Sequence, residues 1–465
     1  MKFVPIGRRV LWCMVVGLAG CATPPPGHSP EAVIPAHYPG AAQEAPVSVA
    51  PEWRTLFADP HLRALIDAAL ANNRDLKLAV ARVGEVRALY DIQQAGNRPG
   101  LSLGVNGMRS RTPADLSVTG RDKIGGQYSV GANLIAYEID FWGRVRSLND
   151  AALAQFLASD EARRAFELGL IAQVANTHLL ARELDERIVL AQRALATREE
   201  SFRIMRRRAE VGSSSDLEVR QVESLLLTTR SELAALERQR AQNDALLQQL
   251  VGHALPPPMA PAPLAGQGLE AALPPGLPSE LLTRRPDIRA AERRLAASQA
   301  NIHAARAAFL PNITLTGFGG TASAELDGLF RGGSSSWSFT PVLRMPLFDG
   351  GRTRANLELA EARKQVAVAD YETTIQTAFR EVADALAARE WLAVQVREQQ
   401  ALVATESDRA RLASLRFERG VSSYLDVLDA QRALFSAEQA LVQLRRAHMS
   451  STVNLYKALG GSQPG

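Results

Sequence analysis

The sequence predicts a mainly α-helical protein that also carries strands of a transmembrane β-barrel. Three observations point there: two long stretches free of proline, four short segments in which apolar and small polar residues alternate, and a duplication that puts one such set in each half. The 465 residues are 46% hydrophobic, 22% charged and only 6% aromatic, too apolar for disorder and long enough for several core-forming segments.

The first element is a leader. Lys2, Arg8 and Arg9 precede an apolar stretch from Val10 to Ala19 that runs into Leu18-Ala19-Gly20-Cys21, so residues 1–20 read as a secretory signal ending in a lipobox. Small residues let the chain enter a peptidase cleft, and Cys21 then offers a thiol for acylation. Loss of the leader leaves 50 Lys plus Arg against 49 Asp plus Glu, a formal charge of +1, which provides no basic surface for nucleic acid. Cys13 leaves with the leader and Cys21 is committed to lipid, so no disulfide forms within the chain and stability must come from packing or oligomerisation. Beyond the leader no run of 18 apolar residues occurs. Any span is therefore a β-barrel, and any simple anchor is the acyl chain on Cys21, the one covalent group expected.

Eight of the 25 prolines fall between Pro24 and Pro51 and eight between Pro256 and Pro278. These mark an acylated linker over 21–55 and a second linker over 253–278, separating a first repeat at 56–252 from a second at 279–461. Gly212-Ser213-Ser214-Ser215-Asp216-Leu217 precedes Gly420-Val421-Ser422-Ser423-Tyr424-Leu425 by 208 residues, and Gly143-Arg144-Val145-Arg146 precedes Gly351-Arg352-Thr353-Arg354 by the same offset. Arg74-Asp75-Leu76 and Pro286-Asp287-Ile288 extend the match to a first helix in each repeat.

Each repeat then reads as helix, two strands, a very long helix, a tight turn and a returning helix. Strands are expected at about 101–110, 127–138, 312–321 and 334–345. In Gln127 to Ala136 every even position is apolar (Tyr128, Val130, Ala132, Leu134, Ala136), the period of a sheet with one greasy face. Leu101-Ser102-Leu103-Gly104-Val105 and Trp337-Ser338-Phe339-Thr340 alternate likewise. Alternation alone fits a water-soluble sheet equally well; the export signal, the anchor and the small polar partners favour the barrel. Four strands cannot close one, because the smallest barrels need about eight, so several copies must share it. Two copies give a barrel filled by its own side chains and three give 12 strands with a passage, which makes a trimer the economical solution.

The helical hairpins are expected over 144–252 and 352–459. Arg144 to Val211 holds no proline and only Gly169, and Arg352 to Arg419 holds neither proline nor glycine. Each of these stretches spans on the order of 100 Å as a helix. Val427, Leu434, Leu441 and Leu455 recur in steps of seven beside Leu428, Phe435, Val442, Met449 and Tyr456, the period of a left-handed supercoil. His448 falls in the first series and reads as a packed residue. The turns at Gly212, Ser213, Ser214 and Ser215 and at Gly420, Val421, Ser422 and Ser423 are expected to use glycine for the left-handed C-cap and Ser or Asp to cap the outgoing helix. Small tips at the far end of such arms suit the docking of a partner's helical hairpins.

Tyr137-Glu138-Ile139-Asp140-Phe141-Trp142-Gly143-Arg144, Pro346-Leu347-Phe348-Asp349-Gly350-Gly351-Arg352, Phe379-Arg380-Glu381-Val382-Ala383-Asp384 and Gly420 through Arg432 together resemble the outer-membrane efflux factor family of the TolC/OprM type, in its NodT-like lipoprotein branch. The resemblance covers nearly the whole mature chain. It implies a homotrimer whose 12-stranded outer-membrane barrel continues into a periplasmic α-helical barrel, a passive exit duct for small toxic molecules. An inner-membrane RND-type pump would drive it through a periplasmic adaptor, or membrane fusion, protein. It also implies a periplasmic gate at Leu425, Asp429 and Arg432, which stand at i, i+4 and i+7 on one helix face. In a trimer these would form rings that exclude water, repel anions and tie neighbouring helices; the plain alternative is an exposed Asp429–Arg432 pair. The first repeat has Gln221 and Ser224 at the matching positions, so gating should rest on the second.

No zinc, Walker or nucleophile motif occurs, and Gly317-Phe318-Gly319-Gly320 lacks the helix a dinucleotide loop needs, so no enzyme is expected. A type I secretion duct and a non-conducting periplasmic coiled-coil scaffold are the rival readings. The four amphipathic strands, for which a scaffold has no use, weigh against the second.

Overall fold

The computed structural model describes residues 51–254 and 281–462, with Tyr38, Leu264 and residues 267–269. The leader, Cys21 and most of both proline-rich linkers lie outside the described residues. After a short helical turn at Trp53–Leu56, α1 (Pro60–Asn72) starts with proline at its first position behind Asp59, whose carboxylate accepts the His61 N–H at 2.8 Å. Helix α2 (Arg74–Ala95) starts afresh because Asn73 leaves the helical region (φ −54°, ψ 131°) and its side chain accepts the Leu76 N–H at 2.8 Å. The single first helix expected in this half is therefore two. Next come β1 (Leu101–Thr112), β2 (Lys123–Ile139), α3 (Arg144–Glu210), α4 (Asp216–Val251), α5 (Pro286–Ala307), β3 (Asn312–Ser323), β4 (Ser335–Arg344), α6 (Arg352–Glu418) and α7 (Tyr424–Ala458).

The duplication is visible in the lengths: α2 and α5 each have 22 residues, and α3 and α6 each have 67. Each long helix opens on a carboxylate. Asp140 accepts the N–H groups of Val145 and Arg146 at 3.1 and 2.7 Å, and Asp349 accepts that of Thr353 at 2.9 Å.

The strands form one antiparallel sheet in the order β1-β2-β3-β4. Directly paired residues share a face. One row runs Leu103, Ala132, Gly319, Trp337 and the next Leu101, Leu134, Gly317, Phe339. On this face Leu101, Leu103, Val105, Trp337 and Phe339 are 63–81% exposed. The other face carries Ser102, Asn133, Ser129, Thr316, Ser338 and Thr340. The alternation expected through Ala136 breaks at a bulge between Leu134 and Tyr137, where Ala136 has φ 39°. Beyond it Tyr137 and Ile139 return to the apolar face opposite Leu315 and Ile313. At 17 residues β2 outruns the expected segment mainly at its start, where Lys123 to Gly126 pair with the end of β1. Where the two repeats meet, Gly131 lies opposite Gly320, and a Cβ on either would collide with the facing backbone.

Near the sheet the helices are neighbours in the order α2-α3-α5-α6, and toward the turns in the order α4-α3-α7-α6. No described helix is long and apolar enough to cross a membrane. The main core lies midway along the long helices, where Phe57, Leu65, Ile66, Leu179, Ile288, Val382, Leu455 and Tyr456 are buried together. Each such aliphatic side chain contributes about 1.5–3 kcal/mol. Polar clasps hold this belt. His178 Nε2 lies 2.9 Å from Asp59 Oδ2 in a buried pair, and this hydrogen bond above all holds the Asp59 carboxyl well below the usual range. Glu186 accepts the Leu264 N–H at 2.8 Å, and Thr452 donates to the Leu269 carbonyl at 3.2 Å, strapping part of the inter-repeat segment across α3 and α7.

The end of each hairpin is locked to the start of its repeat, by different chemistry. Asn73 Nδ2 donates to Leu250 O at 2.8 Å. At the equivalent place Arg285 donates to Ala458 O at 2.9 Å and to Glu381 at 2.8 Å, while also pairing with Asp287 at 2.6 Å.

Candidate functional site at the hairpin tips

Helix α3 ends with Gly212 at φ 76°, and α6 ends with Gly420 at φ 73°, the left-handed conformation that only glycine adopts without strain. The Schellman-type closure is the same in both: Ser213 N–H donates to Arg208 O at 2.8 Å and Val421 N–H to Arg416 O at 2.9 Å. The outgoing helices differ. Ser215 and Glu218 form a capping box, and Ser214 Oγ also donates to Glu218 at 2.6 Å, which with the Ser215 N–H holds the Glu218 carboxyl below its ordinary value. Ser423 makes no side-chain cap, so the serine cap expected at the second tip is absent. Its backbone turns to accept the Asp426 N–H instead, and Ser422 Oγ is buried without a partner among the described residues.

The two tips touch. Arg208 lies over the Phe417 ring at 5.3 Å, Phe417 lies 4.9 Å from Tyr424, and Met205, Val222 and Leu428 form a small core beneath them. Arg206 and Arg207 pair with Glu210 on a solvated face.

Asp429 and Arg432 meet at 2.6 Å, one turn beyond Leu425, which is 55% exposed. The second oxygen of Asp429 accepts from Arg409 of α6, also at 2.6 Å, and Arg409 reaches Glu406 at 3.1 Å. Asp429 thus joins both helices of its hairpin. The Arg409 hydrogen bond, then the charge of Arg432, hold its carboxyl below the ordinary value. Sequence reasoning missed Arg409 and Glu406, because pairing across a hairpin depends on helix phase and no motif announces it. In the first repeat Gln221 and Ser224 carry no charge and form no such clasp. Among the described residues no cluster of three or more His, Cys, Asp or Glu is arranged to hold a metal.

A sheet with an uncovered apolar face, continued by paired helices far longer than any globular core requires, defines a barrel-and-tunnel protein of the outer membrane. The outer membrane efflux protein family matches residues 65–253 and 277–461, and the chain belongs to that family. It is 45% identical over 452 residues to the solvent efflux pump outer membrane protein SrpC of Pseudomonas putida, covering 96% of both chains. It is 44% identical to the outer membrane protein OprJ of Pseudomonas aeruginosa, covering 96% of this chain and 93% of that one. Among solved structures it resembles the open state of the Neisseria gonorrhoeae MtrE outer membrane channel, with 37% identity, a TM-score of 0.86 and coverage of 95% and 98%. The Campylobacter jejuni CmeC outer membrane channel gives 27% identity, a TM-score of 0.86 and coverage of 92% and 93%. The protein is an outer-membrane component of an efflux system with a TolC-like fold.

Proposed function

We propose that three copies of this chain share one barrel and act as the passive exit duct of a tripartite pump. The observation that carries this reading is the four-stranded sheet, which ends in unpaired edges at β1 and β4 while its apolar face is bare. An edge exposed to lipid costs several kcal/mol for each unpaired backbone group, so β4 of one copy must meet β1 of the next. Three copies supply 12 strands, and the four helices that each chain contributes at each level supply 12 helices there. Cys21 carries the acyl anchor, the tips at Gly212–Ser215 and Gly420–Ser423 meet the periplasmic adaptor, and an RND-type inner-membrane pump provides the energy, so the duct needs neither cofactor nor catalytic residue. Relatives named for solvent, toluene and antibiotic efflux favour small apolar cargo over polypeptides. Native mass of the detergent-extracted mature protein tests the assembly: three chains per particle are expected, and a stable monomer would remove the barrel.

Leu425, Asp429 and Arg432, with Arg409, form the resting gate. The double clasp on Asp429 supports this assignment, since it fastens α7 to α6 at positions where the first repeat has the uncharged Gln221 and Ser224. Asp429→Ala is expected to raise resting conductance in planar bilayers, and unchanged conductance would remove Asp429 from the gate.

A further inference from the structure

Below the tips, a cavity of about 400 Å³ opens between α3, α6 and α7. Its floor is Arg198, only 4% exposed. Arginine stays charged in proteins, and a buried charge is costly unless it is paired. Yet among the described residues Arg198 has no carboxylate at ion-pair distance. It donates to the Thr229 hydroxyl and lies over the Phe435 ring at 5.1 Å, while Glu232 acts on it only at longer range. Arg193 and Arg411 line the same cavity, so three guanidiniums accompany one carboxylate, Glu438, whose charge burial disfavours and the nearby Arg193 in part supports. Arg411 is shared with the exposed Asp408 at 3.3 Å. Gln431, also in the wall, has its amide oxygen buried and unpartnered, and the amide turns over readily to meet either a donor or an acceptor. Leu190, Leu434 and Phe435 give the remainder an apolar surface.

From this geometry we infer a binding site for a small organic anion, a carboxylate attached to an apolar group. The carboxylate pairs with Arg198 and Arg193 and the apolar part lies against Phe435 and Leu434. An occupant there bridges α3 of the first repeat to both helices of the second hairpin. The inference does not depend on the gate reading, since it concerns binding alone.

The test uses the full-length protein in detergent with para-trifluoromethylbenzoate as probe, followed by fluorine NMR line broadening. Saturable binding is expected for the acid and not for the matching neutral amide. Affinity should fall about tenfold in Arg198→Met and about threefold in Arg193→Ala, the loss of one charge-assisted contact each. Arg193 is exposed, so its variant keeps the test decisive if Arg198→Met fails to assemble. Equal binding of acid and amide, a signal no greater than that of empty micelles, or an affinity unchanged in Arg193→Ala would overturn the site.

Discussion

The two repeats share one chain path but are fastened by different forces. In the first, the hairpin end is tied by the neutral Asn73 amide, and the returning helix is capped by Ser215 and Glu218. In the second, Arg285 replaces Asn73 with a guanidinium that joins Asp287, Glu381 and Ala458, and the serine cap gives way to Asp429 held between Arg409 and Arg432. At these two places the first repeat uses neutral hydrogen bonds and the second uses ion pairs, which respond to salt, acid and partners, although Arg230–Glu199 and Arg240–Asp185 also cross the first hairpin at 2.8 and 2.7 Å. The proposed gate lies where a charged clasp stands in place of the uncharged Gln221 and Ser224 of the first repeat.

The largest contrast is at the locks. Arg285 has a side chain only 6% exposed, and its removal leaves Glu381 and the Ala458 carbonyl without this donor and Asp287 with the Ile288 N–H alone. Arg285→Ala is expected to cost about 3 kcal/mol in denaturant unfolding. Asn73→Ala, which removes a cap and one neutral hydrogen bond, should cost about 1–2 kcal/mol. Equal losses would erase the distinction between the repeats.

At the tips the order reverses. Ser215→Ala is expected to lose about 1 kcal/mol of local stability. Ser423→Ala, which removes no cap, should change it by less than about 0.5 kcal/mol. Amide hydrogen exchange across residues 210–220 and 418–428 reads both, and comparable protection losses would mean that Ser423 caps in solution.

Salt separates the two more gently. At ionic strength near 1 M the screening length falls to about 3 Å, which weakens the exposed Asp429 clasp. Exchange should quicken around Asp429 and stay constant around Ser215.

The smallest effect is that of pH. The folded-state value of the Asp429 carboxyl is depressed, so its stabilisation is complete above the ordinary value of 3.8 and is lost as pH falls through the lower folded value. Resting conductance should be flat from neutrality down to mildly acidic pH and rise only below the ordinary carboxylate range. A rise near pH 6 would point to a histidine elsewhere.

Much of the architecture was legible because its causes are local. The absence of proline between Arg144 and Val211 and the glycines at 212 and 420 act within a few residues, and the alternation at 101–105 and 337–340 needs only the period of a strand. The bulge at Ala136 was not legible, since the residues there continue the alternation and only pairing with β3 shows the extra residue. Nor was the break at Asn73, one polar residue among many that a helix tolerates.

The sequence by itself determined the duplication, the strand faces, the lengths of the arms and the membership in a channel family, because repeated motifs and short-range periods survive without knowledge of contacts. Only the tertiary structure decided which charges meet. Arg409 finds Asp429 across 20 residues, Arg285 finds Ala458 across 173, and Arg198 comes to rest beside Phe435 with no carboxylate at ion-pair distance among the described residues. Such pairings depend on the relative phase and register of long helices, which are set by packing along their whole length rather than by any residue near the contact.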